Sequence, residues 1–580
     1  MIIKALCDYY DRMAALPDSG IAPPGWEWKE VPFVVVIDSD GRLVQIDDTR
    51  EGDGKKKRGK RYLVPQWEKR TVGISPNLLC DMASYVFGIA ANSKPERLAA
   101  QRLAFVERHR EVFGDTPEAR GFLTFIDSLD VGTLQSQSCW QEIFDINPNV
   151  SFRYAGDSRL IAEIPEIQVA IASSSGTNDS PLGRCMVSGT IGPVCRLHAS
   201  IKGVRGAQSS GASLVAFNSA VYESYGKSQG LVAPVCEEVA FKYTTALNML
   251  LSRQDGQNLL VGDATAVFWS LEKTTFEDDF AAFFMEPPKD DPGRAISAIQ
   301  RLLSSPITGW YVEEENDTTF CYLALSPNAA RISIRDWRVG TVQEFASKIR
   351  QHFEDFAIVK SPREPQHYSN YRILANVASQ DDYNNVPPAL GGELMAAALS
   401  GCQYPATLIQ AALRRVHSDV KNRVTPVRAA VIKAWLNRNL RFNPTPNSKE
   451  ISMELDTSQP SIGYQLGRLF AVLERVQERA SGGSLNSTIR ERFYGAACAT
   501  PVTVFANLLR LKNHHLAKIV SRGEVVYFER LFGEIMSHVD DFPAHLDLQD
   551  QGRFAIGYYH QRQAFFAEKT AEPTKEETQD

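Results

Sequence analysis
Ile462, Leu466, Leu469, Phe470, Leu473 and Val476 recur three or four residues apart, the spacing of one apolar face of an α-helix. Ser481-Gly482-Gly483 stops that helix, and the same period returns in four further segments before Phe566. Thr488 with Glu491 forms a capping-box pattern. Thr500–Pro501 places an N-cap before a proline at the first helical position, opening a helix to about Ile519. Tyr527 to Val539 and Leu548 to Phe566 complete the set. Five amphipathic helices on short loops can cover their apolar faces only against one another, which predicts a bundle over 453–566. The polar stretch 567–580 predicts a disordered tail.

Upstream the pattern changes. Val31 to Arg50 reads as a hairpin, two strand-like runs around Asp38-Ser39-Asp40-Gly41. Strand character continues at Leu63 to Pro65, Ala155 to Ala172, Cys185 to Phe217, Leu260 to Ser270 and Thr319 to Ile334. Ala99 to Phe113 and Pro234 to Ser252 read as helices, the second opening on Glu237 and Glu238, which suit a positive helix end. Tyr368 to Val386 is polar and turn-rich. Helical spacing begins again at Pro388 to Arg415 and Pro426 to Leu440. The expected class is α+β: a mixed α/β region over 1–385, a basic helical connector over 386–452, then the bundle.

Several function classes are disfavoured. No apolar run is long enough to span a bilayer, and the N-terminal MIIKALCDYYDRMAALPDSG lacks the parts of a signal peptide, so the expected compartment is the cytoplasm. The nine cysteines are scattered with no CxxC pair, which argues against a zinc ribbon and for small buried hydrophobes in a reducing compartment. Gly226-Lys227-Ser228 ends like a phosphate-binding loop, but Val221 stands where that motif requires glycine. Glu277-Asp278-Asp279 and Asp290-Asp291 read as solvated acidic surface. His514 and His515 are adjacent on a helix and point in different directions. No metal site or cofactor is expected.

Net charge is −6, so nucleic-acid binding requires local patches. Three exist. Lys55, Lys56, Lys57, Arg58, Lys60 and Arg61 form a dense cationic segment between strands, a pattern shared with solvated loops and processing signals. Arg414, Arg415, Lys421, Arg423, Arg428, Lys433, Arg438 and Arg441 form a second. Arg490, Arg492, Arg510, Lys512, Lys518 and Arg522 form a third, in the bundle. Together they suggest a groove that tracks phosphates. A fourth feature is chemically different: Lys202, Arg205, Gln208, Ser209 and Ser210 stand among Gly203, Gly206 and Gly211. Cations can hold phosphate, while amide and hydroxyl groups can read groove edges. The same residues also suit a plain cluster of turns.

The segment IKGVRGAQSSGASLVAFNSAVYESYGKSQGLVAPVCEEVAFKYTTALNMLL closely resembles the large subunit of the type I-C CRISPR surveillance complex, Cascade. The resemblance extends to IAPPGW, YLVPQWEKRTVGISPNLLCDMASYVFG, VGDATAVFWS, LALSPNAARISIRDW, PVRAAVIKAWLNR, YQLGRLFAVLERVQ and QGRFAIGYYHQRQAFF, in order along the chain. It implies a non-enzymatic subunit beside the 5′ handle of the CRISPR RNA. Such a subunit reads the protospacer-adjacent motif on duplex DNA, helps open the duplex and recruits a helicase-nuclease. Implied partners are CRISPR RNA, target duplex and displaced strand, backbone and handle-binding subunits, and a small subunit; Met453 is a candidate internal start for the last. On this reading Lys202, Arg205, Gln208, Ser209 and Ser210 contact the duplex. Lys55 to Arg61, Arg428, Lys433, Arg490, Arg492, Arg510 and Lys512 hold backbone phosphate. A metal-dependent nuclease and a protein scaffold without DNA contact are the competing classes.

Overall fold
A computed structural model describes residues 2–52, 57–67, 70, 73–174, 180–217, 219–252, 256–286, 296–303, 317–446, 448–482 and 487–571. The chain divides into two compact units. One comprises Met1–Gly203, Ala207–Leu251 and Asn328–Ile332; the other comprises Val204–Gly206, Ser252–Pro327 and Ser333–Asp580. The class is α+β as expected, with the sheets in the N-terminal part and helices dominating the C-terminal part.

The first unit is built on a four-stranded sheet in the order Leu43–Asp48, Phe33–Ile37, Asn149–Tyr154, Cys80–Met82. The expected hairpin is its edge. Phe33–Ile37 pairs antiparallel with Leu43–Asp48, and Asp38 Oδ1 accepts the amides of Asp40 (3.0 Å) and Arg42 (2.8 Å) across the turn. Gly41 sits there at φ +82°, where a Cβ would strike the backbone of Gly121 and Phe125. Helices Pro95–Phe113 and Arg120–Asp127 close one core around Phe105, Phe122, Phe125 and Phe152. His109 is buried in it as a neutral ring: Leu79 donates its amide to Nε2 (2.9 Å) and Nδ1 meets the Phe105 carbonyl (2.7 Å). Burial drives its pKa down to about 3. Helix Ile2–Ala14 packs on helix Glu237–Leu250, with the rings of Tyr10 and Phe241 edge to face at 5.7 Å.

Two expected strand regions differ. Within Ala155 to Ala172 the chain forms a 3-10 turn and then helix Pro165–Ser174. Pro165 starts it, and Ile167 and Ile171, four apart, bury on one face. Over Cys185 to Phe217 only Ile191–Pro193 is a strand, paired with Leu182–Arg184. Beyond it the ladder shrinks to isolated bridges, because Gly203, Gly206 and Gly211 turn the backbone at positive φ.

The second unit holds a sheet in the order Asn258–Val261, Ala264–Ser270, Thr319–Asn328, Arg331–Thr341. Phe268, Phe276, Phe280 and Phe320 pack on one of its faces. Its C-terminal helices share a separate apolar core running from Phe356 to Phe565, which includes Leu390, Ile409 and Val431 from the expected connector. Connector and bundle are therefore not separate layers. Helices Ile462–Ala480 and Leu548–Ala571 approach at backbone distance, since a Cβ on Gly467 would collide with the Phe554 carbonyl, and one on Gly557 with that of Tyr464. The Thr488–Glu491 capping box does not form. Helix Ile489–Ala499 does start there, but the Ile489 amide is held by Gln477 Oε1 at 2.8 Å. Of the expected tail, 572–580 lies outside the described residues.

Candidate nucleic-acid interface
The glycine loop closes on itself through the backbone. Ile201 and Ala212 exchange amide–carbonyl bonds of 2.8 and 2.9 Å, and Gly211 N donates to Gln208 O at 2.9 Å. Asn248, on helix Glu237–Leu250, accepts the Lys202 amide at 2.8 Å and donates to Ser200 O at 3.2 Å. A Cβ at Gly211 would lie 2.9 Å from Ile201 O, so only glycine permits this closure. Beside this braced backbone, Gln208, Ser209 and Ser210 stand exposed. Lys202 is also solvent-accessible. Surrounding protein mass and the charge of Lys29 push its pKa down, opposed by Glu27 and Glu30. Its ammonium therefore lies within electrostatic reach of the strand Trp26–Glu30. Arg205 belongs with the second unit, where its amide donates to Thr265 Oγ1 at 2.9 Å and its side chain is exposed.

Trp26–Glu30 pairs antiparallel with Arg61–Pro65 in a two-stranded ribbon, Trp28 opposite Leu63 and Glu30 opposite Arg61. One face carries Trp28 and Arg61, with the guanidinium 5.9 Å from the indole centroid. The other packs inward: Lys29 lies 4.0 Å over the Trp67 ring and 3.1 Å from Glu27. Lys57, Arg58, Lys60 and Arg61 are all exposed; Lys55 and Lys56 lie outside the described residues. The ribbon's cations are thus positioned at the surface by short strands, Arg58–Gly59 and Arg61–Pro65.

The helical patches need correction. Arg428 is wholly buried, paired with Asp381 (2.7 Å) and Asp419 (3.0 Å), and it donates to the carbonyls of Asn376, Asn422 and Arg423. Lys433 is 3 % exposed and donates to Asp355 O at 2.8 Å; burial lowers its pKa to about 8. Arg438 and Arg441 converge on the Asp355 carboxylate at 2.5 and 2.7 Å. These cations neutralise internal acceptors, so phosphate cannot reach Arg428 or Lys433 in this fold. In the bundle, Arg490 is half-buried 3.6 Å from Glu474, and Lys512 is held by Glu529 at 3.2 Å and lies over the Phe532 ring at 4.7 Å. Arg492, Arg510, Lys518 and Arg522 are exposed.

The acidic run also departs from expectation. Glu277 and Asp279 are buried on helix Thr275–Phe284, Glu277 accepting from Gln257 and Ser270, Asp279 paired with Arg301 at 2.6 Å. Among the described residues no group of three or more His, Cys, Asp or Glu is placed to hold a metal, and no helix is long and apolar enough to cross a membrane. Among the described residues no disulfide forms, and six of the nine cysteines are buried.

One residue the sequence reading passed over is Trp28. Its signal was legible: Trp26 and Trp28 alternate with Glu27 and Lys29 after a Pro-Pro-Gly turn, which puts both rings on one strand face.

The α+β chain thus carries an internally braced polar loop and surface cations beside aromatic rings. Residues 6–566 match the family model described as CRISPR-associated protein (Cas_Csd1). The chain belongs to that family and is a Cascade-type large subunit. No curated protein matches it.

Proposed function
We propose that this protein is the large subunit of a type I-C surveillance complex and that it reads the protospacer-adjacent motif on duplex DNA. The observation that carries this reading is the Gln208-Ser209-Ser210 turn, exposed on a backbone closed by Gly211 and Asn248, in a chain of a CRISPR-associated family. A rigid turn presenting amide and hydroxyl groups suits base-edge reading, with Lys202 and Arg205 as phosphate holders. Lys57, Arg58, Lys60 and Arg61 hold the backbone of the entering duplex or the RNA handle. Arg492, Arg510, Lys518 and Arg522 guide the displaced strand. Sequence beyond the motif is read by RNA–DNA pairing. The subunit performs no chemistry itself, aids duplex opening and recruits a helicase-nuclease, beside backbone and handle-binding subunits.

Gel-shift titration of the complex, reconstituted with partner subunits and CRISPR RNA, tests the reading. Gln208→Ala and Ser209→Ala should weaken binding to duplexes bearing the intact flanking motif while leaving assembly unchanged. A dependence on the motif equal to wild type in both variants refutes it. An internal product from Met453 would present as its own surface the face of helix Leu548–Ala571 that meets Ile432 and Leu436 at Gly552. It therefore requires another chain to cover that face, and a blot of a C-terminally tagged gene detects the product.

A further inference from the structure
Trp28 is 38 % exposed, although indole is among the side chains that gain most from burial. Its ring is not free to swing: Nε1 donates to Gly20 O at 2.7 Å, and the ribbon register fixes its strand against Arg61–Pro65. Arg61 stands on the same face, diagonal to it, and exposed Lys57, Arg58 and Lys60 precede Arg61 on the same stretch of chain. Glu30 is the exposed acid on that face. A pinned aromatic surface edged by cations is complementary to a flat π system carried on a polyanion. A single-stranded nucleic acid offers both, because its bases are unpaired and its phosphates close by; a duplex keeps its bases stacked on each other. An apolar protein partner would instead have to strip water from Arg61 and the cations that precede it.

We infer that Trp28 stacks an unpaired nucleobase of a single strand while Arg61 holds its flanking phosphate. The inference rests on the reading that this chain handles nucleic acid. It adds a single-strand contact on the ribbon, distinct from the duplex contact at the glycine loop.

The test uses the full chain with labelled single strands of RNA and of DNA, and with duplex, each carrying 2-aminopurine. Trp28→Ala should raise the single-strand Kd by about 5- to 160-fold, the range expected for one base–aromatic stack, and should abolish the quenching of 2-aminopurine. Duplex affinity and the salt slope should hold, since no charge is removed. Trp28→Phe keeps a stacking face and should retain most of the affinity, which separates lost stacking from misfolding. Wild-type single-strand binding by Trp28→Ala, or an equal loss on duplex, overturns the inference. If that occurs while the reconstituted complex still discriminates the flanking motif, only the inference falls. Failure of the wild-type chain to bind any nucleic acid removes both.

Discussion
The division between surface and buried cations makes a quantitative prediction about salt. Lys57, Lys60 and Arg61 are exposed on the ribbon and its connection; Arg428 and Lys433 are enclosed and paired. Each phosphate contact on a single strand contributes about −0.7 to the slope of log K against log salt concentration, so replacing all three exposed cations by Gln should shallow the slope by about 2.1. Between 50 and 200 mM salt the three contacts account for roughly a 20-fold fall in affinity, and the triple variant should be spared that part of the loss. Fluorescence anisotropy of the full chain with a labelled single strand at four salt concentrations measures it directly. Arg428→Gln is the internal comparison: it removes one positive charge, leaves Asp381 and Asp419 without their buried partner, and should lower stability with no change in slope. A slope unchanged in the triple variant, or shallower in Arg428→Gln, refutes the assignment of which cations face phosphate.

Two further outcomes test the fold. Gly467→Ala should cost at least about 1–3 kcal/mol and lower the melting temperature, because its Cβ meets the Phe554 carbonyl; Gly533→Ala, with nothing within 4 Å, should be neutral or stabilise helix Arg522–Met536 by up to about 1 kcal/mol. Equal melting temperatures for the two variants would sink the close-packing account. His109 provides a pH test: burial holds its folded pKa at about 3, below the ordinary imidazole value of 6.5, so between those values the unfolded chain binds the extra proton. Stability should therefore fall with pH below 6.5, by on the order of 1 kcal/mol per pH unit for this group. Thermal melts at pH 7.5, 6.5 and 5.5 should show a shallower decline in His109→Gln than in wild type, and parallel declines would contradict the buried neutral ring.

What could be read from the chain alone follows the range of the forces involved. The hairpin at Phe33–Asp48 was legible because its determinants are local: Asp38 closes the turn and Gly41 supplies the positive φ. The helices of the second unit were legible for a similar reason, since their apolar period is written within each segment. Helix Pro165–Ser174 was misread as strand because its short apolar run fits either period, and only the burial of Ile167 with Ile171 decides it. The core from Phe356 to Phe565 could not be read, because it depends on which helices meet.

The candidate site divides along the same line. The glycine loop was visible because three glycines among Lys, Arg, Gln and Ser announce tight backbone and outward polarity at once. The second basic patch misled because a run of Arg and Lys states how many charges there are and says nothing about their partners. Arg428 finds Asp381 forty-seven residues away, and Arg438 and Arg441 find Asp355 more than eighty residues away. Once those acids are in place, the positive helix Pro426–Phe442 is an internal strut whose charges are already answered. On the ribbon the balance runs the other way, since Lys29 spends its charge on Glu27 and Trp67 on the inner face while Arg61 keeps the outer face with Trp28. A cationic segment in this protein can serve phosphate only where the fold leaves it at the surface, and that criterion selects the ribbon and the exposed bundle arginines over the helix with the most basic sequence.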